Sequence, residues 1–418
     1  MKKLNTFIRL ILLLTLVIGC DKNKKSPYKT IKMGAIKDSI SIEIDKKIAI
    51  KNFCSFFKKQ ELIKLETTEA SLVSSIAKIV KHKDNIYVFD WHTDYSVLCF
   101  NGKGKFKFKL KKLGKGPHEY FDYNYGDIND YTGDIELLAN GHRHLIVYDS
   151  LGNFKEKIKI PYSSNSFCSL KDKRYFYKGY IENKEEDFNF RLYSTDNKCK
   201  NILAKYLPYK VSKDPEASSG YVYGFSKVKK GEYRFVEAFN DTIYKIDTTS
   251  FSSLYKLTFN GYERNKPYDF MYNNNKFGKK REWARKLKIP NLKTFYEFKD
   301  YIAGSYITNL EKSAYIKYFI YDKKNKTTLY NGYGVSFSNQ ISVSISEILP
   351  KITLNGMPAT HISPDRIERS IKNLAIDLLY KNKKEEVRET LRSYFDYDGN
   401  ITANPYIITY KPEKNEDK

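Results

Sequence analysis

One strand-and-turn pattern recurs six times along the chain, and it restricts the possible folds more than any other feature. The clearest copy lies within Asn85 to Tyr120, NIYVFDWHTDYSVLCFNGKGKFKFKLKKLGKGPHEY. Ile86–Asp90 and Val97–Phe100 read as strands. Asn101-Gly102-Lys103-Gly104 supplies the positive φ that a tight hairpin needs, and Phe106 to Leu110 runs back. A second copy runs Ile135 to Leu138 and then Leu145 to Phe154, with Tyr148-Asp149 standing where Phe100-Asn101 stood. Weaker copies centre on Arg191–Ser194, Ile243–Asp247, Tyr318–Asn325 and Pro405–Tyr410. The early copies recur about every 45 to 55 residues, and insertions stretch the later spacings.

A hairpin repeated at that period is the mark of a radial array. A single four-stranded blade cannot cover both of its faces, so successive blades must stack around an axis. The expected fold is therefore all-β, a six-bladed β-propeller with short helical insertions. Composition agrees, since 36 Tyr and 26 Phe suit half-buried pleated surfaces better than helix faces. The sixth copy ends with a charged tail and has no following strand. Glu61–Thr67 (ELIKLET) is expected to supply the missing one, completing the last blade and removing an open edge.

Two stretches interrupt the repeat. Residues 262–290 are Asn- and Lys-rich, with a helical segment expected over Arg281–Leu287. Residues 363–394 read as one or two helices, with Ser363 as N-cap, Pro364 in the first turn, and Ile367, Ile371, Leu374 and Leu378 at helical spacing. That apolar stripe is expected to pack against the propeller.

The N-terminus carries an export signal. Lys2, Lys3 and Arg9 are basic, and Ile8 to Ile18 is apolar but too short to span a bilayer. Val17-Ile18-Gly19-Cys20 resembles the bacterial lipobox. That resemblance implies cleavage between Gly19 and Cys20 and diacylation of Cys20, which holds a domain on a membrane without a spanning helix. Residues 20–45 are polar and Lys-rich and read as a flexible tether, leaving 46–418 as the propeller. Cys54, Cys99, Cys168 and Cys199 remain. None lies in a CxxC, and buried free thiols are the expected state, with three disulfide connectivities otherwise open.

The net charge of +25 comes almost wholly from lysine, with 12 arginines among 74 basic residues. Arginine's planar fork is what bidentate phosphate and base recognition uses, so its scarcity and the export signal argue against nucleic acid.

The residues LIKLETT from Leu62, the Ile86–Phe106 hairpin, the corner Leu113-Gly114-Lys115-Gly116-Pro117-His118-Glu119-Tyr120 and the closing Asn404–Ile408 together resemble a family. It is the six-bladed β-propeller lipoproteins of Gram-negative gut bacteria, related to NHL-type propellers. The resemblance covers roughly Glu61 to Pro412 and implies a cell-envelope location, on the outer membrane, and a binding role.

No catalytic constellation is visible. The corner residues Gly114, Gly116, Pro117, His118 and Glu119 form the one candidate ligand-binding position, but no helix N-terminus or Lys-Ser/Thr pair follows as a P-loop requires. The competing reading is a stiff inter-blade loop with Glu119 accepting from neighbouring amides. Gly141-His142-Arg143-His144 puts two imidazoles at i and i+2, with no third ligand in sight, so neither metal nor cofactor is expected. The expectation is a monomeric, non-enzymatic protein, held at the membrane through Cys20, that binds a glycan, peptide or envelope protein at a channel end. The alternatives are a lyase or hydrolase acting on a polymer at the channel mouth, or an assembly scaffold with a broad exposed apolar patch.

Overall fold

The computed structural model describes residues 36–43, 48, 57–179, 189–209, 224–237, 240–260, 290–308, 315–332, 349–350, 352–354, 356–372 and 384–412. Residues 1–19, expected as a signal peptide, Cys20, Cys54, residues 262–289 of the expected insertion, and Leu374 and Leu378 lie outside these residues. Two N-terminal strands come first, β1 (Asp38–Glu43) and β2 (Phe57–Lys64). Blade I follows as β3 (Lys78–His82), β4 (Asn85–Asp90), β5 (Ser96–Asn101) and β6 (Phe106–Leu110). Blade II is β7 (Tyr123–Ile128), β8 (Ile135–Ala139), β9 (His144–Tyr148) and β10 (Phe154–Lys159). Blade III is β11 (Ser166–Ser169), β12 (Lys173–Tyr177), β13 (Asn189–Asp196) and β14 (Ile202–Tyr209). Blade IV is β15 (Phe225–Lys229), β16 (Glu232–Phe235), β17 (Thr242–Asp247) and β18 (Phe251–Asn260). Blade V is β19 (Asn291–Glu297), β20 (Tyr301–Thr308), β21 (Tyr315–Asp322) and β22 (Thr327–Gly332). Blade VI has β23 (Ile352–Leu354), β24 (Met357–Ile362) and β25 (Tyr406–Pro412), with β2 paired to β25 as its outer strand.

All six sequence copies are the third strands of their blades, β5, β9, β13, β17, β21 and β25, and their turns explain the pattern. Each of the first five ends in Asn or Asp whose side chain accepts from amides of the next turn. Asn101 takes Lys103 and Lys105, Asp149 takes Leu151 and Asn153, and Asp196 takes Lys198 and Lys200. Asp247 takes Thr249 and Ser250, and Asp322 takes Lys324 and Asn325. A short oxygen-bearing side chain holds the reversal that the backbone alone leaves unsatisfied. Gly104 and Gly152, at φ of 84° and 87°, absorb the left-handed step in two of these turns. Blade VI lacks the Asx residue because its third strand turns to no fourth.

Closure is made by β2 antiparallel to β25, from Phe57 opposite Pro412 to Lys64 opposite Tyr406, with a bulge between Lys59 and Glu61. The pairing begins four residues before the expected Glu61 start and ends at Lys64, so Leu65–Thr67 continue out of the strand. A buried asparagine fastens the seam. Asn404 Nδ2 donates to the carbonyls of Glu66 (2.7 Å) and Ser71 (2.8 Å), Val73 N donates to its Oδ1 (2.9 Å), and its own amide donates to Thr67 Oγ1 (2.8 Å).

The tether expected over residues 20–45 is corrected at its end. Asp38–Glu43 form β1, which pairs parallel with β18 as a fifth strand on blade IV. Ile40 and Ile42 are buried in the core between blades IV and V, and this burial is what the polar flanks conceal. Ile48 then bridges Asn331 on blade V before β2 reaches blade VI. The N-terminal segment thus lies in turn along the outer edges of three consecutive blades.

Buried aromatic and branched side chains fill the spaces between blades, and four successive seams also hold an ion pair, part-buried at the first and buried at the other three. These are Lys78–Asp127 (2.8 Å) between I and II, Arg174–Glu136 (2.6 Å) between II and III, Arg191–Glu237 (2.5 Å) between III and IV, and Arg234–Glu297 between IV and V. At the V–VI seam the filling is apolar, from Tyr301, Ile320, Tyr330, Ile408 and Tyr410. Two helices between β24 and β25, α1 (Pro364–Lys372) and α2 (Lys384–Phe395), cap that cluster with Ile367, Ile371, Leu391 and Phe395. Cys99, Cys168 and Cys199 are free and buried, and burial pushes the thiols of Cys99 and Cys199 up to about 11.

Removing the seam's clasp tests the closure. Asn404→Ala strands two buried carbonyls and an amide, and should cost about 1–3 kcal/mol in chemical denaturation. The exposed Asn400→Ala change, in the loop preceding β25, should cost no more than about 0.5 kcal/mol. Equal losses from both would show that the clasp does not hold the ring.

Candidate ligand site in the central channel

The first strand of every blade lines the ring axis. β3 lies beside β7 and β23, β7 beside β11, β11 beside β15, and β15 beside β19. These strands enclose a cavity of about 550 Å³ walled by residues of blades I, II, IV, V and VI. That volume falls within the roughly 300–1,000 Å³ of small-molecule sites.

Because strand direction alternates, the first-to-second and third-to-fourth turns leave one end of the ring, and these run only two to six residues. Every longer connection joins strand ends at the opposite end. At the short-turn end, blade IV meets blades that are not its ring neighbours. Lys227 on β15 pairs with Asp130 of blade II, and its carbonyl accepts from Thr353 Oγ1 of blade VI at 3.1 Å. His82 Nδ1 of blade I stands 3.9 Å from the same Asp130 carboxylate. Gly231 is required where the β15–β16 turn passes blade II, since a Cβ there would sit 2.5 Å from the Tyr131 hydroxyl. These contacts narrow the channel at that end.

The wall combines aromatic faces with cations. Trp91 and Tyr125 stand side by side with ring centroids 5.7 Å apart, and Tyr233, Phe295 and Tyr296 continue the lining. Lys78 Nζ lies 4.4 Å from the Tyr125 ring centroid and donates to Tyr125 Oη (3.0 Å), the Gly126 carbonyl (3.2 Å) and Asp127 Oδ2 (2.8 Å). Burial opposes the charge on Lys78, but Asp127 and Tyr125 outweigh it and hold the ammonium above the ordinary lysine value. Burial likewise pushes Tyr125 up to about 12. At the narrowed end burial holds His82 below the ordinary imidazole value; Asp130 works against this, while Lys227, Lys83 and Lys230 add to it.

The five corner residues stand elsewhere. Gly114, Gly116, Pro117, His118 and Glu119 join β6 to β7, and none of them lines the cavity. Glu119 Oε2 accepts from the Gly116 amide at 2.8 Å, inside its own loop. The His118 ring stacks on Phe154 at 4.2 Å, its carbonyl accepts from Tyr148 Oη at 2.9 Å, and Lys157 Nζ reaches the Glu119 carbonyl at 3.4 Å. The corner therefore docks on the third and fourth strands of blade II, away from the channel. His142 and His144 do not share a site: His142 Nδ1 meets Asn124 Nδ2 at 3.1 Å, and His144 is held by a hydrogen bond with the backbone of Asn140. Among the described residues no three His, Cys, Asp or Glu side chains gather as metal ligands. The acids of the cavity wall, Asp127 and Asp130, are each taken by a lysine.

Sequence reading missed the channel residues because first strands such as KIVKH and FSKVK look polar and half charged. The available signal was positional and held for KIVKH, which precedes the apolar NIYVFD by one short turn, whereas FSKVK precedes the half-charged EYRF.

Six sheets ringed about an aromatic and basic channel define a six-bladed β-propeller with an internal cavity. The chain belongs to the family described as Domain of unknown function (DUF4934), which matches residues 38–411. No curated protein matches it. Among solved structures, a Bacteroides fragilis protein named as exported aligns over 90% of this chain and 100% of its own, at TM-score 0.69 and 17% identity. A duf4221 family member from Bacteroides vulgatus aligns over 86% and 98%, at TM-score 0.49 and 11% identity. Identity at the level of the first shows a common fold and nothing finer.

The lowered His82 gives a pH test. The folded state disfavours the imidazolium, so stability is full above the unfolded value near 6.5 and falls as pH drops below it. His144 is held down by burial and by Lys157 and Lys159, and adds the same sign. Between about pH 7 and pH 5.5 the melting temperature should fall in the wild type and fall less in His82→Asn. An identical slope in the two proteins would remove His82 from the account.

Proposed function

We propose that this protein is a cell-envelope lipoprotein whose propeller binds a small ligand in its central channel without chemical conversion. The observation that carries the binding role is the cavity wall, where aromatic residues and lysines from four blades converge on one cavity. A rigid ring presents such a wall without reorganisation, which lowers the entropic cost of capture. The exposed large apolar side chains, among them Leu72, Leu151, Leu203 and Ile401, are dispersed over different blades, which favours a ligand site over an assembly surface among the described residues.

The envelope location is supported by the basic N-terminus, the apolar Ile8–Ile18 run and the lipobox-like Val17–Cys20. Cleavage between Gly19 and Cys20 leaves the acylated Cys20 as the membrane attachment, on the outer membrane. With Lys37 and β1 bound to blade IV, at most residues 21–36 separate Cys20 from the propeller, a contour length of no more than about 60 Å.

Two variants test the two halves. Cys20→Ser should abolish lipid labelling and move the protein out of the membrane fraction; unchanged labelling and fractionation would rule out the anchor. Ser226→Trp places a bulky ring in the cavity and should abolish ligand-induced thermal shifts found in a metabolite screen. Shifts that persist in this variant would place the site outside the channel.

A further inference from the structure

The lining of the channel also specifies the chemistry of what enters it, an argument that rests on the channel-binding reading above. Seven lysines and two carboxylates line the cavity. Lys78 and Lys227 are paired with those carboxylates, and Lys229 with Glu232 at 3.4 Å. Lys81 and Lys83 at the end of β3 have no carboxylate partner among the described residues, and Lys230 across the channel lies over the Tyr131 ring at 4.8 Å. The narrowed end of the cavity therefore carries surplus positive charge, from the half-buried Lys81 and the exposed Lys83 and Lys230, which attracts an anion.

A second feature limits which anion. Asp130, 7% exposed, uses Oδ1 for Lys227, and its buried Oδ2 has no hydrogen-bond partner; Ser226 Oγ in the same wall is also unpartnered. A buried carboxylate oxygen without a donor is costly and calls for one from the ligand. Phosphate or another compact anion brings charge but places more negative charge beside Asp130. A neutral sugar supplies hydroxyl donors and a face for the aromatic rings but leaves the lysines unanswered. We propose that the channel binds an acidic saccharide, with its carboxylate or sulfate toward Lys81, Lys83 and Lys230, a hydroxyl donating to Asp130, and a pyranose face against the half-buried Tyr296. A cavity of about 550 Å³ narrowed at one end favours this over an acidic peptide, whose extended backbone would need a longer groove.

Calorimetry on the detergent-solubilised full chain tests the assignment with digalacturonate, a sulfated disaccharide, neutral galactobiose, inorganic phosphate and a hexa-aspartate peptide. One of the two acidic sugars should saturate a single site, about tenfold or more tighter than galactobiose, phosphate or the peptide. Which acidic sugar binds tells carboxylate from sulfate. The affinity should fall about tenfold in Lys81→Ser/Lys83→Ser, and should weaken in wild type when salt rises to about 0.5 M, a readout that needs no variant. No binding of either acidic sugar, or equal binding of galactobiose, phosphate or the peptide, overturns the proposal. If galactobiose binds and Ser226→Trp abolishes it, the channel site stands and the acidic class fails. An acidic sugar whose binding Ser226→Trp leaves unchanged sinks the channel assignment itself.

Discussion

The pairing of β2 with β25 is the contact on which the ring depends. Five blades are built from consecutive chain, but the sixth has only three strands of its own. Without the N-terminal strand it would present β25 as an open edge, with its row of unpaired amides and carbonyls exposed. Pairing across nearly the whole chain length converts a stack of neighbours into a closed cycle, so every blade is held from both sides. The cost is a long loop to close, which grows only slowly with length and is offset by the buried contacts of Ile63, Leu65 and Ile407. Asn404 adds directionality, since a residue with three side-chain hydrogen bonds and one from its own amide fixes the register that apolar contacts alone leave loose.

The same N-terminal segment does more than close the ring. On its way to blade VI it adds β1 to blade IV and a bridge to blade V, so three outer edges are covered in sequence. The parallel pairing of β1 is the unusual element, because parallel neighbours need a long connection and none here is local. It follows that force on the N-terminal side of β1 is first felt at the outer edge of blade IV, before it can reach the closure. Ion pairs cross seams I–II through IV–V, and the three glutamates among them also accept from neutral donors. Asn129 reaches Glu136, Tyr177 and Asn240 reach Glu237, and Tyr255 reaches Glu297. Pairs satisfied in this way specify how blades meet more than they add net stability.

How much of this was legible in the sequence depends on which face each strand shows. Third strands are covered on both faces and end in an Asx turn, so Val97–Asn101 and Leu145–Asp149 announce themselves by an apolar run followed by Asn or Asp. Channel strands have one wall in the core and one facing a polar cavity, and Lys78-Ile79-Val80-Lys81-His82 carries the mixed signal that follows. The closing strand was visible in its second half, while Phe57-Lys58-Lys59-Gln60 was hidden by the solvent-facing lysines of an outer edge. β1 was least legible: DSISIE alternates correctly, but six residues flanked by lysines resemble linker, and its partner lies more than 200 residues away. The glycine corner was readable as a turn held by Glu119, and only the structure shows that it packs on blade II.

The position of β15 links architecture to binding. In a symmetric ring, first strands touch only their two neighbours and the channel stays open at both ends. Here β15 and the turn after it touch blades II and VI as well, through Lys227, Val228 and Gly231, and the channel becomes a cavity with one narrowed end. Asymmetry of this kind has an energetic consequence: it brings Lys227, His82 and Asp130 together where water is scarce, and one carboxylate cannot answer all the cations around it. The imbalance persists because the backbone geometry of the blades, held by their own sheets and seams, fixes it. A cavity made polar by fold rather than by loop presents that wall without any rearrangement.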